Sequence, residues 1–385
     1  MKIACISASR VPSSTANSMQ LMKSCQALFQ LGHDVHLFLP GEGSPPNSTN
    51  LKEFYGLRDI FPVSWLPSRP GYHRYDLAWR AARHASHLNA DLTYVWFIQA
   101  GIFSLLNHLP VVYELHGPPE GRFGPTLFRL FLKMPGRKRL LPITHALANQ
   151  LSWSYRFNPV DLNLFQVSPN GVDLERYTDL PHPTAARQQL GLSSALTIGY
   201  TGHLYPGRGV NLLVQLAIQF PQVQFLWVGG TQADVSYWRH QLEQQNISNV
   251  TLTGFISNKQ LPLYQAACEI LLMPYEKAIS GSSGGNSATY ASPMKMFEYM
   301  ASRRAIITSD LPVIHEVLDT TSAIFCPADD TDAWSQAFSE LISDEGQRSA
   351  LAEQAWIDVQ QYTWLARARR ALQGFPQSKP ASHHE

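Results

Sequence analysis

What most constrains this chain is an alternation of short apolar runs with helical stretches, laid out twice along its length. Lys2–Ala8 reads as a strand. A helix from about Ala16 to Gln30 follows, with Met19, Met22 and Leu28 among its apolar positions, and Gly32 ends it before the strand His33–Leu39. Strand, turn, helix and strand within ~30 residues make a βαβ unit, and a parallel pair needs such a crossover. The pattern goes on with a short helix near Asn50–Tyr55, helix Tyr75–Asn89, strands Leu92–Phe97 and Pro110–Leu115, helix Ile143–Trp153 and strand Phe165–Ser168. Polar sequence from Asn170 to Pro183 reads as a linker. A second alternation starts at strand Leu196–Tyr200 and runs through strands at 224–230, 250–253, 269–273, 305–308 and 323–326. Its helices are expected to end near Ala217 and to span 235–246, 258–267, 331–342 and roughly 346–372. With 385 residues the chain exceeds one ordinary core, so two α/β domains with parallel sheets are expected.

Several function classes drop out early. Hydrophobic content of 44% and charged content of 15% describe a packed globular protein, and a formal charge of +1 argues against a nucleic-acid partner. Cys5, Cys25, Cys268 and Cys326 stand far apart in apolar surroundings, as reduced core thiols would. The N-terminal run is too short for a signal peptide, and no segment approaches the ~20 apolar residues of a membrane span. A cytoplasmic protein is expected, with peripheral contact at the inner face of a membrane as an option. Arg122–Arg139 interleaves six cations with Phe123, Leu127, Phe128, Leu130, Phe131 and Leu132. That segment reads either as an amphipathic surface for anionic lipid or as a surface helix with a solvated charged face. The first strand-to-helix turn, Ser9–Ser18, has no glycine, so the dinucleotide fingerprint is missing where it should stand. No P-loop, Ser-His-Asp elbow or zincin signature occurs.

Three places carry candidate chemistry. Gly202–Gly209 joins a strand to a helix, contains three glycines and includes Arg208, whose guanidinium presents a fork to phosphate oxygens. Ser292–Ala301 reads as a helix with Ser292 as N-cap and Pro293 in the first turn. Met294, Phe297, Met300 and Ala301 would face the core, while Lys295 and Glu298 share another face. A Gly- and Ser-rich loop, Ser280–Ser287, precedes it, and a helix N-terminus after such a loop suits an anion. His116 and Glu114 stand at a strand end, where open α/β sheets bind ligands. For each of these the plain structural alternative is a solvated or core-satisfied side chain. The terminal His pair before Glu385 belongs to a tail from Gln373 that is expected to be disordered.

Four blocks together resemble the retaining glycosyltransferases of family 4. They are Thr15–Leu28 with Gly32-His-Asp-Val, Asn170-Gly-Val-Asp173, Gly202–Gly209, and Ser292–Ala301 through Ser309-Asp310. The resemblance implies a GT-B fold of two facing Rossmann-like α/β domains: residues 1–175 on the acceptor side, 176–360 for the nucleotide sugar, and 361–385 as a helix end crossing back toward the first domain plus the tail. It implies His116, Arg208 and Lys295 as catalytic residues. Donor contacts would come from Asn17, Gly202, His203, Gly207, Gly254, Phe255, Tyr290, Ser292, Pro293, Met294 and Glu298. Arg208 would hold the donor diphosphate, His203 stands where a second cation is usual, and Glu298 would bond the ribose hydroxyls. The partner acid of Glu298 is replaced by Tyr290, so sugar contacts would fall to Tyr290 or to loop amides between Gly284 and Met294. Gly254-Phe255-Ile256 would lie near the base. The implied partners are a UDP- or GDP-sugar donor and a hydroxyl acceptor on a glycan, lipid or polysaccharide precursor, with no cofactor and no metal. Two rivals remain: an epimerase or phosphorylase on the same architecture, and a non-catalytic nucleotide-sugar-binding protein.

Overall fold

A computed structural model describes residues 1–41, 48–158, 164–278 and 286–375. The greater part of the Ser280–Ser287 loop, Gly284 included, and the tail beyond Phe375 with its His pair lie outside the described residues. The chain forms two compact units, Met1–Pro169 with the segment from Trp364, and Asn170–Thr363.

The first unit contains β1 (Lys2–Ile6), α1 (Ala16–Gln30), β2 (Asp34–Pro40), α2 (Ser48–Tyr55), β3 (Val63–Leu66) and α3 (Tyr75–His87). It continues with β4 (Leu92–Val95), α4 (Ile98–Leu106), β5 (Val111–Leu115), α5 (Gly124–Lys133), β6 (Lys138–Pro142) and α6 (His145–Tyr155). The second holds α7 (Pro183–Leu190), β7 (Thr197–Thr201), α8 (Val210–Gln219), β8 (Gln224–Val228), α9 (Gln232–Gln244), β9 (Val250–Leu252) and α10 (Leu261–Ala266). It is completed by β10 (Ile270–Met273), α11 (Met294–Ala301), β11 (Ala305–Ser309), β12 (Ile324–Cys326), α12 (Thr331–Ser343) and α13 (Glu345–Val359). Helix α14 (Trp364–Leu372) belongs to the first unit again, where it packs on α1.

Each unit is built on six parallel strands, in the orders β3-β2-β1-β4-β5-β6 and β9-β8-β7-β10-β11-β12. This is one topology used twice, and it reverses direction between β1 and β4 and again between β7 and β10. Parallel sheets carry crossover helices on their faces, so their strands are buried on both sides. Every residue of β4, β5, β7, β10 and β11 is buried accordingly, so these strands show no alternation of buried and exposed positions. In the second unit, Ile198, Phe225, Trp227, Ile270 and Leu272 from the sheet meet Trp334 and Phe338 of α12, with Phe225 and Phe338 stacked at 5.7 Å. Among the described residues no helix is long and apolar enough to cross a membrane.

Several sequence expectations change here. The 346–372 helix is two helices, because Tyr362 and Thr363 leave helical geometry to pair with Val172. The Phe165–Ser168 strand is reduced to an isolated bridge between Phe165 and Leu140. Strands β3 and β6 and helices α4 and α7 had not been foreseen. Arg122–Arg139 is not one amphipathic helix. Its first part is α5, with Phe128 and Phe131 buried, and its end turns into β6, where Arg139 is buried and donates to the carbonyl oxygens of Ala371 (3.1 Å) and Gln373 (2.5 Å). Those carbonyls are the unpaired acceptors at the end of α14, so part of the cation run caps a helix. The Asn170–Pro183 segment is not a loose linker either. Tyr177 is buried with its hydroxyl donating to Gln265 at 3.0 Å, and Arg176 donates to the Asn258 side chain at 2.7 Å.

Gly209 sits at φ +70°, and a Cβ there would fall 1.8 Å from the carbonyl oxygen of Pro274, a backbone atom that cannot step aside. Gly209→Ala is therefore expected to lower unfolding free energy by about 2 kcal/mol or more in urea titration. An unchanged midpoint would contradict this reading of the turn.

Candidate functional site

The carboxyl ends of β7 and β10 flank the reversal point of the second sheet, and the turn and helix that follow them bring two cations together. Arg208 leaves the turn after β7, and Lys295 lies in the first turn of α11. The Arg208 guanidinium stands 5.0 Å from the Tyr205 ring and 5.3 Å from the Tyr275 ring, and donates to the Tyr205 hydroxyl at 2.8 Å. The Lys295 ammonium stands 4.0 Å from the Tyr200 ring and 5.4 Å from the Tyr275 ring. Both charges thus share Tyr275, each resting on aromatic faces that attract cations. Burial, and next the Arg208 charge, hold the Lys295 ammonium well below its ordinary pKa, with Glu298 acting the other way. Glu298, on the Lys295 face of α11 as expected, also contributes to the raised pKa values of Tyr177 and Tyr275, where burial is the largest cause.

The backbone around these charges is shaped for close approach. Gly202 and Gly207 both take positive φ in the turn. At the next strand end, a Cβ on Gly229 would fall 2.3 Å from the Gly202 carbonyl oxygen, and the Gly229 amide donates to the Gly254 carbonyl oxygen at 3.0 Å. The ends of β7, β8 and β9 therefore form one low edge, on which Gly254 leads to Phe255, half exposed at 49%. His203 is stacked on Tyr205 at 5.1 Å.

Helix α11 is anchored at both sides of its first turns. Its Tyr299 hydroxyl accepts from the Thr201 amide at 2.8 Å, tying the helix to the end of β7. Ser292 is not its N-cap: Pro293 holds that position, with no side-chain cap. Asn170 occupies Ser292 instead, its amide donating to the Ser292 hydroxyl at 3.1 Å and its side chain to the Ser292 carbonyl oxygen at 2.6 Å. The Asn170–Asp173 block thus fixes where α11 begins. Met294 is half-buried rather than a core residue, while Met296 and Tyr299 are buried in addition to Phe297, Met300 and Ala301. Tyr290 is half-buried, its amide donating to the Ser287 carbonyl oxygen at 3.1 Å.

In the first unit, His116 follows β5 and its Nε2 lies 2.6 Å from Oε1 of the fully buried Glu114. The Glu114 carboxylate also accepts from the Tyr94 hydroxyl at 2.6 Å, from the Gln20 side chain, and from Arg367 of α14 at 2.9 Å. Burial alone would raise the Glu114 pKa, but Arg367 and His116 outweigh it and bring it down to about 2. Asn17 is exposed in the first turn of α1, the helix whose Gln20 reaches Glu114. Sequence reading missed Tyr200, Tyr205, Tyr275, Gly229 and Arg367, and it named Asn170 only within a block of resemblance. Only Tyr205 and Tyr275, next to Pro at strand ends, carried any local signal. Among the described residues no three His, Cys, Asp or Glu side chains gather as a metal ligand set.

Residues 20–176 match the family model described as Glycosyltransferase Family 4, and residues 195–344 match that described as Glycosyl transferases group 1. The chain belongs to the family 4 type of glycosyltransferases. Its two six-stranded parallel sheets with flanking helices are the GT-B architecture. This glycosyltransferase-family chain is 30% identical over 145 residues to the putative teichuronic acid biosynthesis glycosyltransferase TuaH of Bacillus subtilis (strain 168), covering 37% of this chain and 34% of that one. It is 25% identical over 236 residues to the D-inositol 3-phosphate glycosyltransferase of Corynebacterium urealyticum, covering 56% and 53%. It therefore spans from about a third to about half of the length of these curated relatives. The Anabaena Alr3699/HepE structure in complex with UDP is similar at TM-score 0.71 and 18% identity, over 96% of this chain and 98% of that one. The complex of the same protein with UDP-glucose gives a TM-score of 0.70.

A carboxyl held below its ordinary value stabilises the fold above that value, and the contribution is lost as pH falls toward the folded-state pKa. For Glu114 the window runs from 4.5 down to about 2. Its full loss is worth about 3 kcal/mol. Urea unfolding between pH 6 and 3 should show wild type losing more stability on acidification than Glu114→Gln. Parallel pH profiles would contradict the assignment.

Proposed function

We propose that the protein transfers a sugar from a nucleoside-diphosphate donor to a hydroxyl acceptor, with retention at the anomeric carbon and with protein cations in place of a metal. The observation that carries this reading is the pair Arg208 and Lys295, converging on Tyr275 beside an edge of glycines. Two cations placed so close repel, and an anion between them relieves that repulsion. A diphosphate fits, because its leaving-group charge grows as the glycosidic bond breaks and preorganised positive groups stabilise that charge most in the transition state. The bond from the anomeric carbon to the phosphate oxygen breaks as the acceptor oxygen forms its own bond to that carbon, and the acceptor's proton passes to the departing phosphate. Glu298 binds the ribose hydroxyls, and Gly254 and Phe255 flank the base. In the first unit, His116 meets a substrate hydroxyl.

UDP is the first nucleotide to try, because the structurally similar Anabaena protein was solved with UDP and UDP-glucose. The relatives named for teichuronic acid biosynthesis and for D-inositol 3-phosphate favour a glycan or a small phosphorylated hydroxyl acceptor.

Thermal-shift titration with UDP, GDP and ADP should show one nucleotide raising the melting temperature, since a ligand bound to the native state stabilises it. Release of nucleotide from labelled nucleotide sugars then tests turnover. Arg208→Ala should lower that turnover by about 2–4 kcal/mol of transition-state stabilisation. Near-wild-type kinetics would remove Arg208 from the site. Glu298→Gln should mainly raise the donor KM, and unchanged affinity for free nucleotide would refute the ribose contact. Lys295→Met should abolish most nucleotide binding yet leave the melting temperature of the unliganded protein equal or higher, because it removes an ammonium that the fold disfavours. A lowered melting temperature would mean that Lys295 is structural.

A further inference from the structure

The Glu114 carboxylate is crowded with donors. Oε1 meets His116 Nε2 at 2.6 Å, the Gln20 amide and an Arg367 nitrogen at 2.9 Å, while Oε2 meets the Tyr94 hydroxyl at 2.6 Å and the other Arg367 nitrogen at 2.9 Å. Arg367 comes from α14, 253 residues away in sequence, and is itself fixed by the Pro169 carbonyl oxygen at 2.9 Å and the Ser24 hydroxyl at 3.2 Å. An ionised carboxylate only accepts hydrogen bonds. His116 Nε2 must therefore be the donor, and the neutral ring carries its lone pair on Nδ1. Among the described residues Glu114 is the hydrogen-bonding partner of this ring, and the His116 side chain is 27% exposed at the carboxyl end of β5.

We propose that Glu114 and Arg367 are positioning residues for His116: they fix its ring as the Nε2–H tautomer and so present Nδ1 as the atom that meets a substrate hydroxyl. This rests on the reading of His116 as a site residue. Arg367 keeps the carboxylate ionised inside the fold, Glu114 orients the ring, and the last helix of the chain becomes part of the site. A buried ion pair is poor evidence of stabilisation by itself, since apolar replacements of similar volume are often tolerated. Its bond to a partly exposed imidazole gives this one a use, because the partner of one ring nitrogen decides what the other can do.

Long-range nitrogen–proton NMR of the full chain with 15N-labelled histidine, with the His116 signals assigned by their loss in His116→Gln, reads the tautomer directly. Wild type should show His116 protonated on Nε2 when neutral. Glu114→Met with Arg367→Met removes both charges together and should yield mixed tautomers. UDP-glucose turnover, or turnover of whichever nucleotide sugar wild type accepts, should fall by about 10- to 100-fold with donor KM within about twofold. Glu114→Asp keeps the charge but withdraws the carboxylate by one methylene, and it should shift tautomer and kcat in the same direction if the double variant does not fold. Arg367→Lys should retain the Nε2–H form. An unchanged tautomer in both Glu114 variants overturns the proposal. A changed tautomer with unchanged kcat overturns the positioning role while leaving the donor reading intact. If wild type turns over no nucleotide sugar, the functional reading fails, and the spectra still decide the ring assignment.

Discussion

Parallel strand pairing governs this molecule. A parallel neighbour can be reached only by a crossover, so helices cover each sheet and every strand points its carboxyl end to the same edge. The order reverses between β1 and β4 and between β7 and β10, so the loops on either side of each reversal diverge and leave room there. Arg208 follows β7, and Lys295 sits on the helix that follows β10. Their meeting at Tyr275 is a consequence of sheet topology, because 87 positions of chain separate them only along the sequence.

The two units handle charge in opposite ways. In the first, Glu114 and Arg367 neutralise one another and every carboxylate oxygen is satisfied, which fits a group that must not move. In the second, Arg208 and Lys295 each stand against the Tyr275 ring, and burial together with repulsion from Arg208 holds the lysine pKa down. An arrangement that disfavours its own charge in the unliganded fold is suited to an anionic ligand. At the low edge made by Gly202, Gly229 and Gly254, a Cβ on Gly202 would fall 2.8 Å from the Lys295 nitrogen and one on Gly229 2.3 Å from the Gly202 carbonyl oxygen, so glycine is what lets these groups approach.

Much of the fold was legible along the chain. The βαβ alternation announced itself in β1, α1 and β2, and α1 spans the residues that its periodicity indicated. The errors have physical causes. Strand β6 was missed because it opens with Lys138 and Arg139, and nothing local shows that Arg139 is buried against the carbonyls ending α14. Helix α4 was missed because its apolar residues directly continue those of β4. Ser292 looked like an N-cap by residue type, and it lost that place because Asn170, 122 residues earlier, uses its hydroxyl. The glycines and Arg208 of the Gly202–Gly209 turn could be read from spacing, whereas the tyrosines around the two cations could not.

The sequence alone determined the parallel α/β architecture and offered the cations, glycines and carboxylate of the candidate site. These follow from periodicity and residue type, which are local properties. Tertiary structure decided which groups meet: Arg208 and Lys295 over one ring, Asn170 on Ser292, and Arg367 of the last helix on Glu114 and through it His116. Such contacts join residues tens to hundreds of positions apart. They exist only once the sheets have brought their strand ends together, because no local preference encodes a distance across the fold.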